Sequence, residues 1–420
     1  MKKKKNNIFK LLLLILIIVG GLAFLYNKNI KENELKIKEN TEKILSYYNE
    51  FIITNKDTTI YTFDNEKVVK VGFINKGQEL VLEKDKKIYN ESYFKITNFD
   101  KEYYIYYKDV KSIEELSINN DRYKNYILFN ENIITKNMTE FYDKEGNLIY
   151  SFNESFDLPI IIKKEDMYGV EFNNKLLYVK KNDINNLKES DNTDLTNTSG
   201  IAVLNYHFFF DDSDKEEVKD CNQSICLSTT KLKTHLDYIK DNKIFTPTME
   251  ELEMYIDGYI QLPKSVVLTI DDGWRADIGT KIMNDYQINA TVFLITSEIH
   301  PSVFKDNYIE VHSHGDNLHK GGVCPGGQGG AIKCLDKSKL LSDLKISREK
   351  LNNSTVFCYP FYEYNNYSIE VLKEAGFTMA FGGHNEAGNT KIKPGINKYK
   401  LPRYVIYNTT TANNIANYIG

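Results

Sequence analysis

Two adjacent carboxylates, Asp271 and Asp272, close the run VVLTIDDGW at 266–274. The residues before them are apolar and β-branched, the pattern of a buried strand. Burying like charges side by side without partners is costly, so something positive must sit beside them. Downstream, YIEVHSHGDNLH at 308–319 brings His312, His314 and His319 close together in a chain with 7 histidines. Neutral imidazoles and a carboxylate make a good site for a divalent transition metal. His314 and His319 are five positions apart, about 140° around a helix, so they cannot share a helical face. The GDNL between them must turn to bring both rings inward. A histidine cluster on the surface is the alternative.

The elements that must position these groups are legible as alternating strands and helices. GIAVLNYHFFF (200–210) reads as a buried strand ending on His207, TKLKTHLDYIKDN (230–242) as a helix, and SVVLTI, ATVFLIT and TVFCYP as further strands. KSKLLSDLKISREKLNN (337–353) is an amphipathic helix with Leu340, Leu341, Leu344 and Leu351 on one side. This alternation predicts a parallel sheet, open or closed as a (β/α) barrel, with chemistry at the carboxyl ends of its strands. Asp271 and Asp272 fall at such an end.

The chain has 420 residues, which suits two or three domains. Its 54 basic and 58 acidic residues leave a net charge of -4, so a nucleic-acid surface is not indicated. Lys2 to Lys5 precede an uncharged apolar run from Leu11 to Tyr26, as a membrane anchor with its amino terminus inside requires. A cleaved secretory signal, with GLA at 21–23 for cleavage, is the alternative. Either places residues 30–420 outside the cytoplasm. Two short-loop disulfides, Cys221 with Cys226 and Cys324 with Cys334, are sterically plausible and leave Cys358 over; five free thiols are the other reading.

The domain boundaries expected are an anchor at 1–29, a charged stalk at 30–55, β-rich modules at 56–117 and 118–187, a polar linker at 188–199 and an α/β domain at 200–420. The two modules rest on a likeness between 58–110 and 138–184, each a set of short alternating strands ending in an aromatic-rich segment. They resemble the bacterial SH3-like modules of extracytoplasmic cell-wall enzymes. That resemblance implies two small all-β barrels contacting peptidoglycan, with plain spacers as the alternative.

In the second half, LNYH, LTIDDGW, HSHGDNLH and YPF, in that order, resemble the polysaccharide deacetylases of the NodB-homology group, carbohydrate esterase family 4. The likeness covers roughly 200–410. It is nearer to the poly-N-acetylglucosamine deacetylase branch, whose two metal histidines are also five apart. The family fold it implies is a distorted (β/α) barrel, and the reaction is metal-dependent removal of acetyl from N-acetylated sugars. Asp272, His314 and His319 would hold a divalent metal, zinc in first place, with cobalt or another divalent ion as the alternative. Asp271 would be the general base towards the attacking water. In FCYPFYEYN, the backbone N–H of Phe361 matches the oxyanion donor, and Pro360 fixes that segment. His207 would be the general acid, with His384 in AFGGHNEAG as its rival.

The chain departs from the family pattern at Cys358, where many members carry an arginine that orients the catalytic aspartate. Arg403 in KLPRYVIY is expected to reach in from a late strand instead. Trp274, the single tryptophan, is expected at the substrate together with Tyr359 and Pro360, with packing at the start of the next helix as the alternative. The resulting expectation is a membrane-anchored, extracytoplasmic deacetylase of N-acetylglucosamine polymer, peptidoglycan ahead of secreted poly-N-acetylglucosamine. A catalytically idle carbohydrate-binding scaffold is the competing class, and it would have lost a metal ligand or the base. The glycine-rich GGVCPGGQGGAIKC (321–334) is expected to shape one edge of the groove rather than to bind a nucleotide.

Overall fold

The computed structural model describes residues 2–65, 67–99, 101–117, 121–190, 199–221, 223–383 and 390–420; most of the expected linker and the rival histidine His384 lie outside them. The chain divides into two compact units. One comprises Met1–Asp121, Ile133–Leu158 and Asp166–Lys188, the other Arg122–Asn132, Pro159–Glu165 and Glu189–Gly420.

The first unit begins with a helix, Lys2–Leu45. Its portion from Leu13 onward is long and apolar enough to cross a membrane. Short antiparallel strands follow. On Thr58–Asp64, Tyr93–Ile96 and Tyr103–Tyr106, alternation turns Ile60, Phe94, Ile96 and Ile105 into the core. The other face stacks aromatics edge to face, with Phe63 and Tyr104 ring centres 4.4 Å apart. Leu148–Phe152 pairs with Lys67–Ile74, so strands from both look-alike stretches share one sheet. Gly72 permits that crossing, because a Cβ there would lie 2.2 Å from the Ser151 carbonyl oxygen.

The second unit is built on seven parallel strands: β1 (Ala202–Tyr206), β2 (Val266–Ile270), β3 (Ala290–Leu294), β4 (Ile309–Ser313), β5 (Val356–Cys358), β6 (Met379–Phe381) and β7 (Tyr404–Val405). Their order is β6-β5-β4-β3-β2-β1-β7. Strands β1 to β3 are buried along their whole length, because helices cover the outer face while the curled sheet encloses the other. The (β/α) barrel expected from the sequence takes the form of a curled half-barrel sheet. Among the described residues its edges approach at the parallel bridge Phe381↔Leu401, just before the two-residue β7. That brevity leaves the segment between Leu401 and Tyr404 free to send a side chain inward.

Helix α1 (Thr229–Asp241) is capped by Ser228 and buries Leu232, His235, Leu236 and Ile239, one stripe at helical spacing. Helix α2 (Met249–Ile256) starts on a Thr248–Glu251 capping box. Helix α3 (Ala276–Asp285) follows β2, and α4 (Lys337–Lys350) buries Leu340 and Leu344 with Leu341 half-buried. Helix α5 (Asn366–Ala375) ends on Gly376 with φ +90°, the left-handed stop that glycine accepts without strain. Both disulfides expected from spacing are present, and Cys358 is a buried free thiol.

Two histidines of this unit are locked in the neutral form. His235 lies between the Tyr206 hydroxyl and the Thr410 carbonyl, and burial pushes its pKa down to about 4. His312 faces Ser354, and burial also pushes it down to about 4. The unfolded chain takes up protons at these positions below about pH 6.5, whereas the folded unit does not until near 4. Their stabilising effect is therefore complete above about pH 6.5 and is lost as pH falls toward 4. We expect the melting temperature of this unit to drop between pH 6.5 and 4.5 in thermal unfolding followed by Trp274 fluorescence, and His235→Gln to flatten that slope.

Candidate active site and metal centre

Strand β2 delivers Asp271, and the turn after it delivers Asp272. Asp272 has φ +68° and Gly273 φ +95°, so the backbone turns left-handed as soon as the strand ends. An aspartate tolerates that conformation better than most residues, and a Cβ on Gly273 would meet Leu294 at 2.4 Å. The turn sends the two neighbouring carboxylates to different partners.

Asp271 meets the positive group that its burial requires. Arg403 Nη1 donates to Oδ1 at 2.7 Å and Nη2 to Oδ2 at 2.8 Å, a bidentate pair in which the guanidinium has no solvent exposure. Arg403 is itself fixed by the Gly382 carbonyl, Thr269 and the Cys358 thiol, the last at 3.1 Å. Burial alone would raise the Asp271 pKa; Arg403 outweighs it and holds the carboxyl far below the usual range. Cys358 occupies the position where an arginine was expected to be missing, and its small side chain leaves the room that Arg403 fills.

Asp272 faces two imidazoles. Its Oδ1 lies 3.4 Å from His314 Nε2 and 3.3 Å from His319 Nε2. The three side chains place one ligand atom each within 4.8 Å of one another, the geometry of a cation site. Asp272 Oδ1 is buried and faces both imidazole nitrogens, a donor set that suits a divalent cation. His314 Nδ1 lies 2.9 Å from the Cys358 carbonyl, which fixes the tautomer and turns Nε2 toward Asp272. Burial would lower the His314 pKa, but Cys358 and Asp272 raise it well above the usual imidazole value.

The five-residue spacing is bridged by a turn with its own support. Gly315 takes φ +85°, and the carboxylate of Asp343 on α4 accepts the Asp316 and Asn317 N–H groups at 2.8 Å each. Asp316 is in turn held by Thr296 and Lys350, both at 2.6 Å. Asp343 was not singled out from the sequence, because a helix carboxylate clamping backbone N–H groups from a distance has no local signature.

His207 follows β1 and is buried beside Asp271, with Nε2 3.9 Å from Oδ2 and 3.3 Å from the Tyr362 hydroxyl. Burial lowers its pKa, so it is neutral at rest. Tyr362 donates to Asn205 Oδ1 at 2.8 Å and completes this wall; its place next to Phe361 in YPFYEY was the available signal. Phe361 and Tyr362 have φ +59° and +65°, left-handed conformations unfavourable for large side chains and tolerated only where packing enforces them. The Phe361 ring rests on His319, centres 4.4 Å apart. Trp274 is 44% exposed and lies nearly parallel to Phe208, with ring centres 6.2 Å apart.

Two expected substrate contacts are not at the surface. Tyr359 is fully buried, stacks on Tyr364 and donates to the Tyr399 carbonyl, and Pro360 is buried beside it. Their motif position is right at the strand exit, but alternation turns Tyr359 outward from the sheet into the helix layer.

With this geometry in hand, residues 260–380 match the model of the polysaccharide deacetylase family. The chain carries a polysaccharide deacetylase domain. No curated protein matches the chain. Among solved structures, the chain is similar to a de-N-acetylase from Aggregatibacter actinomycetemcomitans, at 22% identity and TM-score 0.42, over 52% of this chain and 99% of that one. It is also similar to IcaB from Ammonifex degensii, at 19% identity and TM-score 0.43, over 53% and 97%. A third is the polysaccharide deacetylase BC0361 from Bacillus cereus, at 15% identity and TM-score 0.43, over 87% and 100%.

The buried pair in this deacetylase domain makes a direct prediction. Arg403→Met strands the Asp271 charge and should destabilise the domain by about 3–5 kcal/mol, read by urea unfolding through Trp274 fluorescence. Adding Asp271→Asn to that variant should recover most of the loss, since no uncompensated charge then remains. An additive double variant would show that the pair is not coupled.

Proposed function

We propose that this protein is a metal-dependent N-deacetylase that removes acetyl groups from N-acetylglucosamine units of peptidoglycan. The observation that supports the reading most is the meeting of Asp272, His314 and His319 beside an ionised Asp271. A divalent cation at those three side chains, zinc first and cobalt as the alternative, would acidify water and polarise the acetyl carbonyl. Asp271 is the base: Arg403 keeps it ionised and aims it, so it can accept a proton from the attacking water. The water oxygen bonds to the acetyl carbon, the C–N bond breaks, and the sugar amine must gain a proton as acetate leaves. His207, neutral at rest and beside Asp271, is assigned the transfer of that proton to the amine. The Phe361 N–H is assigned to the developing oxyanion. Trp274 is assigned to the sugar ring, an exposed indole suiting the apolar face of a pyranose.

The surroundings fit an enzyme working outside the cytoplasm. The N-terminal helix would anchor it, and two disulfides suit an oxidising compartment. The β-rich unit, read as SH3-like modules, would contact the wall polymer, which favours peptidoglycan. The five-residue spacing of His314 and His319 and the YH motif at His207 favour secreted poly-N-acetylglucosamine as the second reading.

Acetate release by the full chain in detergent, loaded with zinc or cobalt and offered each polymer in parallel, tests this. Asp271→Asn should lower turnover about 10²–10⁴-fold with metal still bound, and Trp274→Ala should act mainly on KM. Release from the exopolysaccharide alone would move the substrate to the second reading. Metal binding without release from either polymer would make the substrate wrong, and the absence of bound metal would revive the scaffold reading.

A further inference from the structure

The glycine-rich loop that follows His319 is tied to the segment carrying Phe361 by one buried carboxylate. Glu363 stands two residues after Phe361 and is 8% exposed. Its Oε1 accepts the Gln328 N–H at 2.5 Å, while its Oε2 accepts the Gly330 N–H at 2.7 Å and pairs with Lys333 at 3.0 Å. Glycine is required at this contact. A Cβ at Gly327 would fall 1.9 Å from Oε1, and one at Gly330 would fall 2.8 Å from Oε2 and 3.4 Å from the Phe361 ring.

The loop thus clamped is closed on itself. The chain leaves His319 at Lys320, whose carbonyl accepts the Ala331 N–H at 3.2 Å. Gly322 donates to the Gln328 carbonyl at 2.9 Å, and the Cys324–Cys334 disulfide closes the arc. On the other side, the Glu363 N–H donates to the Pro360 carbonyl, so Glu363 belongs to the same tight turn that holds Phe361 and Tyr362 left-handed. The Phe361 ring on His319 completes a cycle: His319, loop, Glu363, turn, Phe361, His319.

We propose that Glu363 is a positioning residue that couples the second metal imidazole, His319, to the oxyanion segment at Phe361, so that neither can be set without the other. The inference rests on the deacetylase reading for the roles of those two groups, but the coupling itself is a property of the chain. His319 is the partly exposed member of the metal trio, and a clamp from outside is what can hold it. Glu363→Gln keeps the shape and removes the charge that orders two backbone N–H groups and Lys333.

Two readouts on the full chain in detergent test the coupling. The first is hydrogen exchange by mass spectrometry without metal. In Glu363→Gln, peptides spanning 318–331 and 360–362 should both exchange at least several-fold faster, while 202–206 and 266–270 stay unchanged. The second is zinc affinity by competition with a chromophoric chelator. It should weaken about 10-fold or more, the usual effect of losing a group that orients a metal ligand. Glu363→Asp should restore part of both. Faster exchange confined to 320–334, or an unchanged zinc affinity in a wild type that binds zinc, would overturn the proposal. A wild type that binds no zinc would instead count against the deacetylase reading, and the exchange pattern alone would then decide the coupling.

Discussion

Arg403 and Asp271 meet inside the half-barrel with almost no contact with solvent, and the geometry of the mouth follows from that pair. A carboxylate at the end of a fully apolar strand is tolerable only with a counter-charge of matching shape, which the planar guanidinium supplies through two parallel hydrogen bonds. Once Asp271 is fixed inward, the left-handed turn at Asp272 and Gly273 carries the second carboxylate across to the imidazoles. Two adjacent like charges are thereby separated by conformation rather than screened by water. The pair also orders its surroundings, because the guanidinium contacts Thr269, the Gly382 carbonyl, Cys358 and the faces of Phe293 and Tyr362.

Around that pair the site is assembled from turns whose backbone groups are held by side chains distant in sequence. Asp343 orders the turn between the two imidazoles, and Glu363 orders the loop beyond them. Both carboxylates accept pairs of backbone N–H groups, which gives irregular backbone the satisfaction that a helix or sheet would otherwise provide. The rigid parallel strands aim Asp271, His207 and His314 and lead directly into the turn that carries Asp272, while the clamped turns bring in His319 and Phe361. Precision comes from the sheet for one group and from buried carboxylates for the other.

Much of this arrangement was legible in the sequence. Apolar runs marked β1, β2, β3 and β5, and the apolar stripe of α1 and α4 appeared at the expected spacing. Asp271, Asp272, His314 and His319 were recognisable because motif order keeps them together, and Arg403 because Cys358 stood where an arginine would otherwise be. Tyr359 and Pro360 lie buried, because nearness to a motif does not say which face of a strand a side chain takes. Asp343, Glu363 and Tyr362 act through contacts 26 to 157 positions away, and such contacts leave no periodic trace. The shared sheet of the β-rich unit was hidden for a related reason: two similar stretches do not reveal whether each pairs with itself or with its neighbour.

The two-residue strand β7 has a consequence for how the molecule comes into being. A chain made from its amino end has Asp271, His314 and His319 long before residue 403 exists. Until then the carboxylate has no counter-charge, and the half-barrel has an uncovered edge at β1. The counter-charge thus reaches the carboxylate across 132 positions of sequence, from the same short segment that pairs with β1. One stretch, Arg403 to Val405, therefore serves both the charge balance of the site and the edge of the sheet.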